Sequence, residues 1–113
     1  MLKLNYKKLL IKKNKIPITC LTAYSKPIAN ILDGKVDLIL VGDSLGTTLF
    51  GMQNTRGVTI EMMKNHGKAV VLNTKYSMTV IDMPYNTYRN KSEALKNARN
   101  ILAFTKADFI KIE

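Results

Sequence analysis

Five residues stand where a small chain could do chemistry. Asp43 and Ser44 follow the apolar run Leu38–Gly42, Asp82 closes Ser77–Asp82, and Lys111 and Glu113 close Asp108–Glu113. A serine after a strand can be a nucleophile, but only with a base in hydrogen-bond reach and a group to orient that base. Carboxylates hold hard divalent cations, and Mg2+ usually takes one or two of them together with water and substrate oxygens. Lys111 and Glu113 are two positions apart, so on a strand both point to the same face. A strand-end acid also has a plainer use, as the cap of the helix that follows. For one Asp that use is favoured; for three acids and a lysine at three successive strand ends, a site is favoured.

The elements that must position them can be drawn from periodicity. Residues 5–13 form a short amphipathic helix with Tyr6, Leu9, Leu10 and Lys13 on one side. Residues 16–22 are a strand with Pro17 near its start. Ser25-Lys26-Pro27 opens a helix over 26–32, with Ile28, Ile31 and Leu32 as its apolar face and Asp33-Gly34 as its stop. Residues 36–42 are a strand apolar enough to be covered on both faces. Residues 43–58, with three glycines, are expected as a long mobile loop over a site. Thr59 caps a helix over 60–72, residues 77–82 are a strand, Asn90 or Ser92 caps a helix to about Lys106, and residues 108–113 are a strand. Strands alternating with helices argue for an α/β domain with a parallel sheet and helical crossovers. Such sheets place their chemistry at the carboxyl ends of the strands. If strand order is sequential, Asp43 and Asp82 end neighbouring strands about 4.8 Å apart and can share one ion.

Composition narrows the class. At 113 residues and 46% hydrophobic, the chain makes one globular domain with a core. No apolar run reaches the ~18–20 residues of a membrane span, and the basic start MLKLNYKKLLIKK lacks the apolar stretch and cleavage site of a secretory signal. With Cys20 alone, no internal disulfide forms, and a reducing cytoplasm is the default compartment. The net charge is +10, but 15 of the 18 basic residues are Lys, and no Arg–aromatic interleaving is present. A solvated lysine-rich face, rather than nucleic-acid or membrane binding, is expected. Glycine-rich nucleotide loops and Cys/His metal clusters are also absent.

Two resemblances compete for Leu38–Gly46, "LILVGDSLG". GDSL-type esterases resemble it at strand-Gly-Asp-Ser-Leu, but they carry a late Asp-x-x-His, and no such pair occurs here. The single histidine, His66, lies inside the helix over 60–72 at apolar spacing, as a packing residue would. The blocks "CLTAYS", "DLILVGDSLG", "VTIEMMKNHGKAV", "VIDMPYNTY" and "FIKIE" resemble, in order and spacing, the ketopantoate (3-methyl-2-oxobutanoate) hydroxymethyltransferase family. The resemblance runs from about residue 5 to the last residue.

That resemblance implies an N-terminal helix and the first half of a (β/α)8 TIM barrel, so that residues 1–113 are a single partial domain. It implies Mg2+ on Asp43, Asp82 and Glu113, and a 2-oxo acid bound by Asp43, Ser44, Asp82 and Lys111. It also implies transfer of a hydroxymethyl group from 5,10-methylenetetrahydrofolate to 3-methyl-2-oxobutanoate through a Mg2+-stabilised enolate, giving 2-dehydropantoate for pantothenate biosynthesis. Ser44 is then a hydrogen-bond donor to substrate. The family chain is more than twice as long, and its catalytic base is a Glu in the part with no counterpart here. No catalytic residue is therefore assigned, and an open strand edge at 108–113 is expected. The chain departs from the family at Ser25, where Asp is usual, and at Arg56-Gly57, where Leu-Pro is usual. The leading expectation is a truncated transferase, weak or inactive alone, within a homo-oligomer or with a complementing second half. The alternative is a non-catalytic remnant or subunit that binds a partner chain; the esterase comes third.

Overall fold

The computed structural model describes all 113 residues. Helix α1 spans Tyr6–Lys12, strand β1 Cys20–Thr22, helix α2 Lys26–Leu32 and strand β2 Leu38–Val41. Helix α3, Leu45–Leu49, and a 3-10 turn, Thr55–Gly57, follow. Helix α4 is Ile60–Leu72, strand β3 Met78–Asp82, helix α5 Lys91–Thr105 and strand β4 Phe109–Lys111. The strands are all parallel and lie in sequence order β1-β2-β3-β4. This is the order that successive βα units take in a (β/α)8 barrel. None of the helices is long and apolar enough to cross a membrane.

The helix starts follow local chemistry. The Thr59 hydroxyl accepts the Met62 N–H at 3.2 Å, and the Asn90 side chain accepts the Glu93 N–H at 2.9 Å. Of the two caps considered for α5, Asn90 is the one used. Lys106 ends α5 in the left-handed region, φ 63°. Ser25 stands at the N-cap of α2 with extended backbone but makes no capping hydrogen bond. Pro27 in the first turn removes one of the N–H groups such a cap would serve.

One face of the sheet carries the core. Ile39, Val41 and Ile81 pack against Met63 and Val70 of α4 and Ile101 of α5. Gly67 lets α4 come close: a Cβ there would lie 2.5 Å from Ile81 Cδ1. On the opposite face Leu38, Leu40, Val80 and Phe109 are only half-buried. The expectation that β2 is covered on both faces is thus corrected, because the helices α4 and α5 form a single layer. In α2 the buried contact is Ala29; Ile28 and Ile31, assigned to the apolar face, are exposed, since a small residue at the contact lets the helix approach. β4 is an open edge as expected, with Tyr6 edge-on to Phe109 at 6.3 Å, and β1 is a second one.

The strands begin later than their apolar runs, and the reason is visible at their amino ends. Asp37 accepts the Thr19 N–H at 2.9 Å and the Thr19 hydroxyl at 3.1 Å, joining the starts of β1 and β2. Asp108 does the same to Thr79, at 2.8 and 3.1 Å, joining β3 and β4. Between them, Asp33 accepts the N–H groups of Lys75, Tyr76 and Ser77 at 2.7–2.8 Å, and the Ser77 hydroxyl donates to the Val36 carbonyl. Side chains take amides there that a longer ladder would use, so residues 16–19 are not strand as expected.

The segment 43–58, expected as one long loop, contains α3 and the 3-10 turn. Leu45 is fully buried, Val58 nearly so, and a Cβ on Gly46 would lie 2.6 Å from Val58 Cγ2. Two apolar anchors fix the segment from both sides.

Candidate active site at the carboxyl ends of the strands

Asp82 is the last residue of β3 and 5% exposed. Its carboxylate stands on the face away from the helices, in register with Lys111 of β4. Oδ2 accepts the Asp43 N–H at 3.1 Å, which ties the turn after β2 to β3. Oδ1 is buried and pairs with the Lys111 ammonium at 3.1 Å. Lys111 also holds the Glu113 carboxylate, which is largely exposed. The Glu113 hydrogen bond raises the Lys111 pKa above its ordinary value; Asp82 adds to this and burial opposes it.

Asp43 is half-buried beside this pair. Burial first, and then repulsion from Asp82 and Glu113, push its carboxyl up, against a hydrogen bond from Thr55 and the charge of Lys111. Three carboxylates therefore feel one another across the ends of β2, β3 and β4, with one ammonium among them. Ser44 is next in the chain, and its hydroxyl lies 2.6 Å from the Tyr24 hydroxyl. Gly42 allows the convergence: the place of its missing Cβ is 3.1 Å from Ser44 Oγ and 3.4 Å from Asp82 Oδ2. Arg56 lies over the Tyr85 ring, 5.4 Å from its centre, so the segments that follow β2 and β3 clasp each other.

The structure thus brings Asp43, Ser44, Asp82 and Lys111 together, and attaches Glu113 through Lys111. No three His, Cys, Asp or Glu side chains form a cage for a metal ion. The donor set still fits a hard cation that takes one or two carboxylates and completes its shell with water or ligand oxygens. Asp43 and Asp82 supply that pair, with the Asp82 carboxylate buried and Asp43 half-buried beside it. The esterase reading finds no support in this geometry. His66 Nδ1 donates to the Tyr24 carbonyl at 2.8 Å, and the partner of Ser44 is a phenol rather than an imidazole.

Sequence reasoning assigned no role to Tyr24 or Thr55. Tyr24 was within reach of the same argument that found the acids, because it lies two positions past the end of β1. Nothing local distinguishes Thr55 from the other threonines of its segment.

A sequence model described as ketopantoate hydroxymethyltransferase matches residues 3–113. Three curated proteins, each described as 3-methyl-2-oxobutanoate hydroxymethyltransferase, are similar over most of this chain. That of Pelagibacter ubique is 55% identical over 102 residues, which is 90% of this chain and 40% of that protein. That of Rhodospirillum rubrum is 48% identical over 98 residues, 86% of this chain and 35% of that protein. That of Rhizobium etli is 50% identical over 98 residues, 86% of this chain and 36% of that protein. The chain therefore spans about two fifths or less of the length of the relatives it matches.

Proposed function

Because the chain belongs to the ketopantoate hydroxymethyltransferase family, we propose that its strand ends hold the metal and the 2-oxo acid of a hydroxymethyl transfer. The sheet is then part of a (β/α)8 barrel. In the reaction C3 of 3-methyl-2-oxobutanoate loses a proton and takes the one-carbon unit of 5,10-methylenetetrahydrofolate, water supplies the hydroxyl and tetrahydrofolate leaves, giving 2-dehydropantoate for pantothenate biosynthesis. The observation that carries this reading is the buried Asp82 carboxylate, which accepts the Asp43 N–H at 3.1 Å and pairs with Lys111 at 3.1 Å, beside the half-buried Asp43.

Asp43 and Asp82 would hold Mg2+, with Glu113 as a further ligand once it leaves Lys111. Mg2+ supplies Lewis acidity that polarises the oxo acid when bound. The chain's own residues do the rest of the binding. The Ser44 hydroxyl donates a hydrogen bond to the substrate anion. Lys111 sets a positive charge beside the negative charge that develops as C3 loses its proton. Once deprotonated, C3 bonds to the one-carbon unit as its bonds to the two folate nitrogens break, those nitrogens take up protons, and water supplies the hydroxyl. None of these side chains is assigned the role of base.

Thermal melts of the chain test the reading. A ligand that binds only the folded state raises the midpoint. Mg2+ and 3-methyl-2-oxobutanoate together should raise it, and Asp82→Ala should abolish the rise. A cooperative melt indifferent to both ligands would sink the proposal.

A further inference from the structure

We propose that Tyr24 is the residue that positions Ser44 for the 2-oxo acid, an inference that rests on the reading of the strand ends given above. The main chain at Ser44 is already fixed. Its carbonyl accepts the Thr47 hydroxyl at 3.0 Å and the Thr48 N–H at 2.9 Å, and the Gly42 and Asp43 carbonyls accept the N–H groups of Leu45 and Gly46. What remains free is the side-chain rotor.

Tyr24 settles that rotor. Its hydroxyl is 2.6 Å from Ser44 Oγ, a short O–H···O contact. A phenol is more acidic than an alkyl hydroxyl, so Tyr24 donates and Ser44 accepts. The Ser44 proton is then left to point at an anion in the site. On its other side Ser44 Oγ rests over Gly42, where no Cβ displaces it.

Tyr24 is itself braced. Its carbonyl accepts His66 Nδ1 at 2.8 Å, which requires the proton on that nitrogen, and Phe50 packs edge-on to the His66 ring at 5.7 Å. The neighbouring Ala23 N–H donates to the Leu40 carbonyl at 3.0 Å. Helix α4 and strand β2 thus hold Tyr24, and Tyr24 holds Ser44.

The test is calorimetric titration of the 113-residue chain with 3-methyl-2-oxobutanoate at saturating Mg2+, for the wild type, Tyr24→Phe, Ser44→Ala and the double variant. Loss of one hydrogen bond should weaken oxo-acid binding roughly five- to tenfold in Tyr24→Phe. The double variant should bind no more weakly than Ser44→Ala, and Mg2+ affinity without the oxo acid should not change. Unfolding curves of the same four chains, without ligand, should show coupling between the two positions. If Tyr24→Phe does not fold, 3-fluorotyrosine at position 24 keeps the ring and sharpens the donor; it should alter oxo-acid affinity with Ser44 present and not in Ser44→Ala. Wild-type affinity in Tyr24→Phe, or additive losses in the double variant, would overturn the positioning role. No oxo-acid binding by the wild type overturns it too, and the unfolding cycle then locates the fault. Intact coupling faults the proposed function, and absent coupling faults the Tyr24–Ser44 contact.

Discussion

Gly42 has no Cβ, and the space one would fill is bounded by Ser44 Oγ at 3.1 Å and Asp82 Oδ2 at 3.4 Å. Its backbone is not in the left-handed region, so Ala can be placed there without dihedral strain. Gly42→Ala should therefore fold, at a cost of about 1 kcal/mol. Ser44 would be turned away from Tyr24, and titration should show 3-methyl-2-oxobutanoate binding weakened about tenfold, one hydrogen bond's worth. The acids of this site were legible in the sequence because each ends an apolar run. The Tyr24–Ser44 contact was not, because it joins residues from different strand ends, and only their sequential order makes them neighbours.

At the scale of elements, two glycines separate close packing from backbone freedom. Gly67 sits where α4 meets the sheet, and a Cβ there would lie 2.5 Å from Ile81 Cδ1 and 3.2 Å from Thr105 Cγ2. Gly67→Ala should cost about 1–3 kcal/mol through overpacking, read as a lower denaturant midpoint. Gly51 has φ +66° and open space around it. Gly51→Ala should cost about 1–2 kcal/mol through strain alone. The long helices α4 and α5 were legible from apolar spacing and capping residues. Strand starts were not, because Asp33, Asp37 and Asp108 take amides that the apolar runs seemed to promise to a ladder. The helix and turn within 43–58 were not legible, because its glycines spoke for loop, while Leu45 and Val58, which bury the segment's two ends, act only through tertiary contact.

Across the whole molecule the acids divide between the two ends of the sheet. At the amino ends burial alone would push the carboxyls up, but the partners outweigh it. The N–H groups of Ser77, Lys75 and Tyr76 bring Asp33 below the ordinary 3.8, and Lys12 and Thr19 do so for Asp37. A lowered folded pKa means that the unfolded chain binds more protons in that window. The stabilisation is thus complete above about pH 4 and is lost as pH falls through the folded values. Asp37→Asn should cost about 1–2 kcal/mol at pH 7, and its deficit against the wild type should shrink as melts are taken toward pH 3. At the carboxyl ends the links are of other kinds: the Tyr24–Ser44 hydroxyl contact, the Asp43–Asp82 hydrogen bond, the Lys111 ion pairs and Arg56 over Tyr85. Each of the three seams between strands carries an aspartate bolt at its amino rim. Mechanically the amino rim is the spine of a comb: its three aspartates take five main-chain N–H groups, and the aspartates of the carboxyl rim take one. Amides at 37–39 and 77–79 should accordingly exchange with deuterated solvent more slowly than those at 42–44 and 111–113.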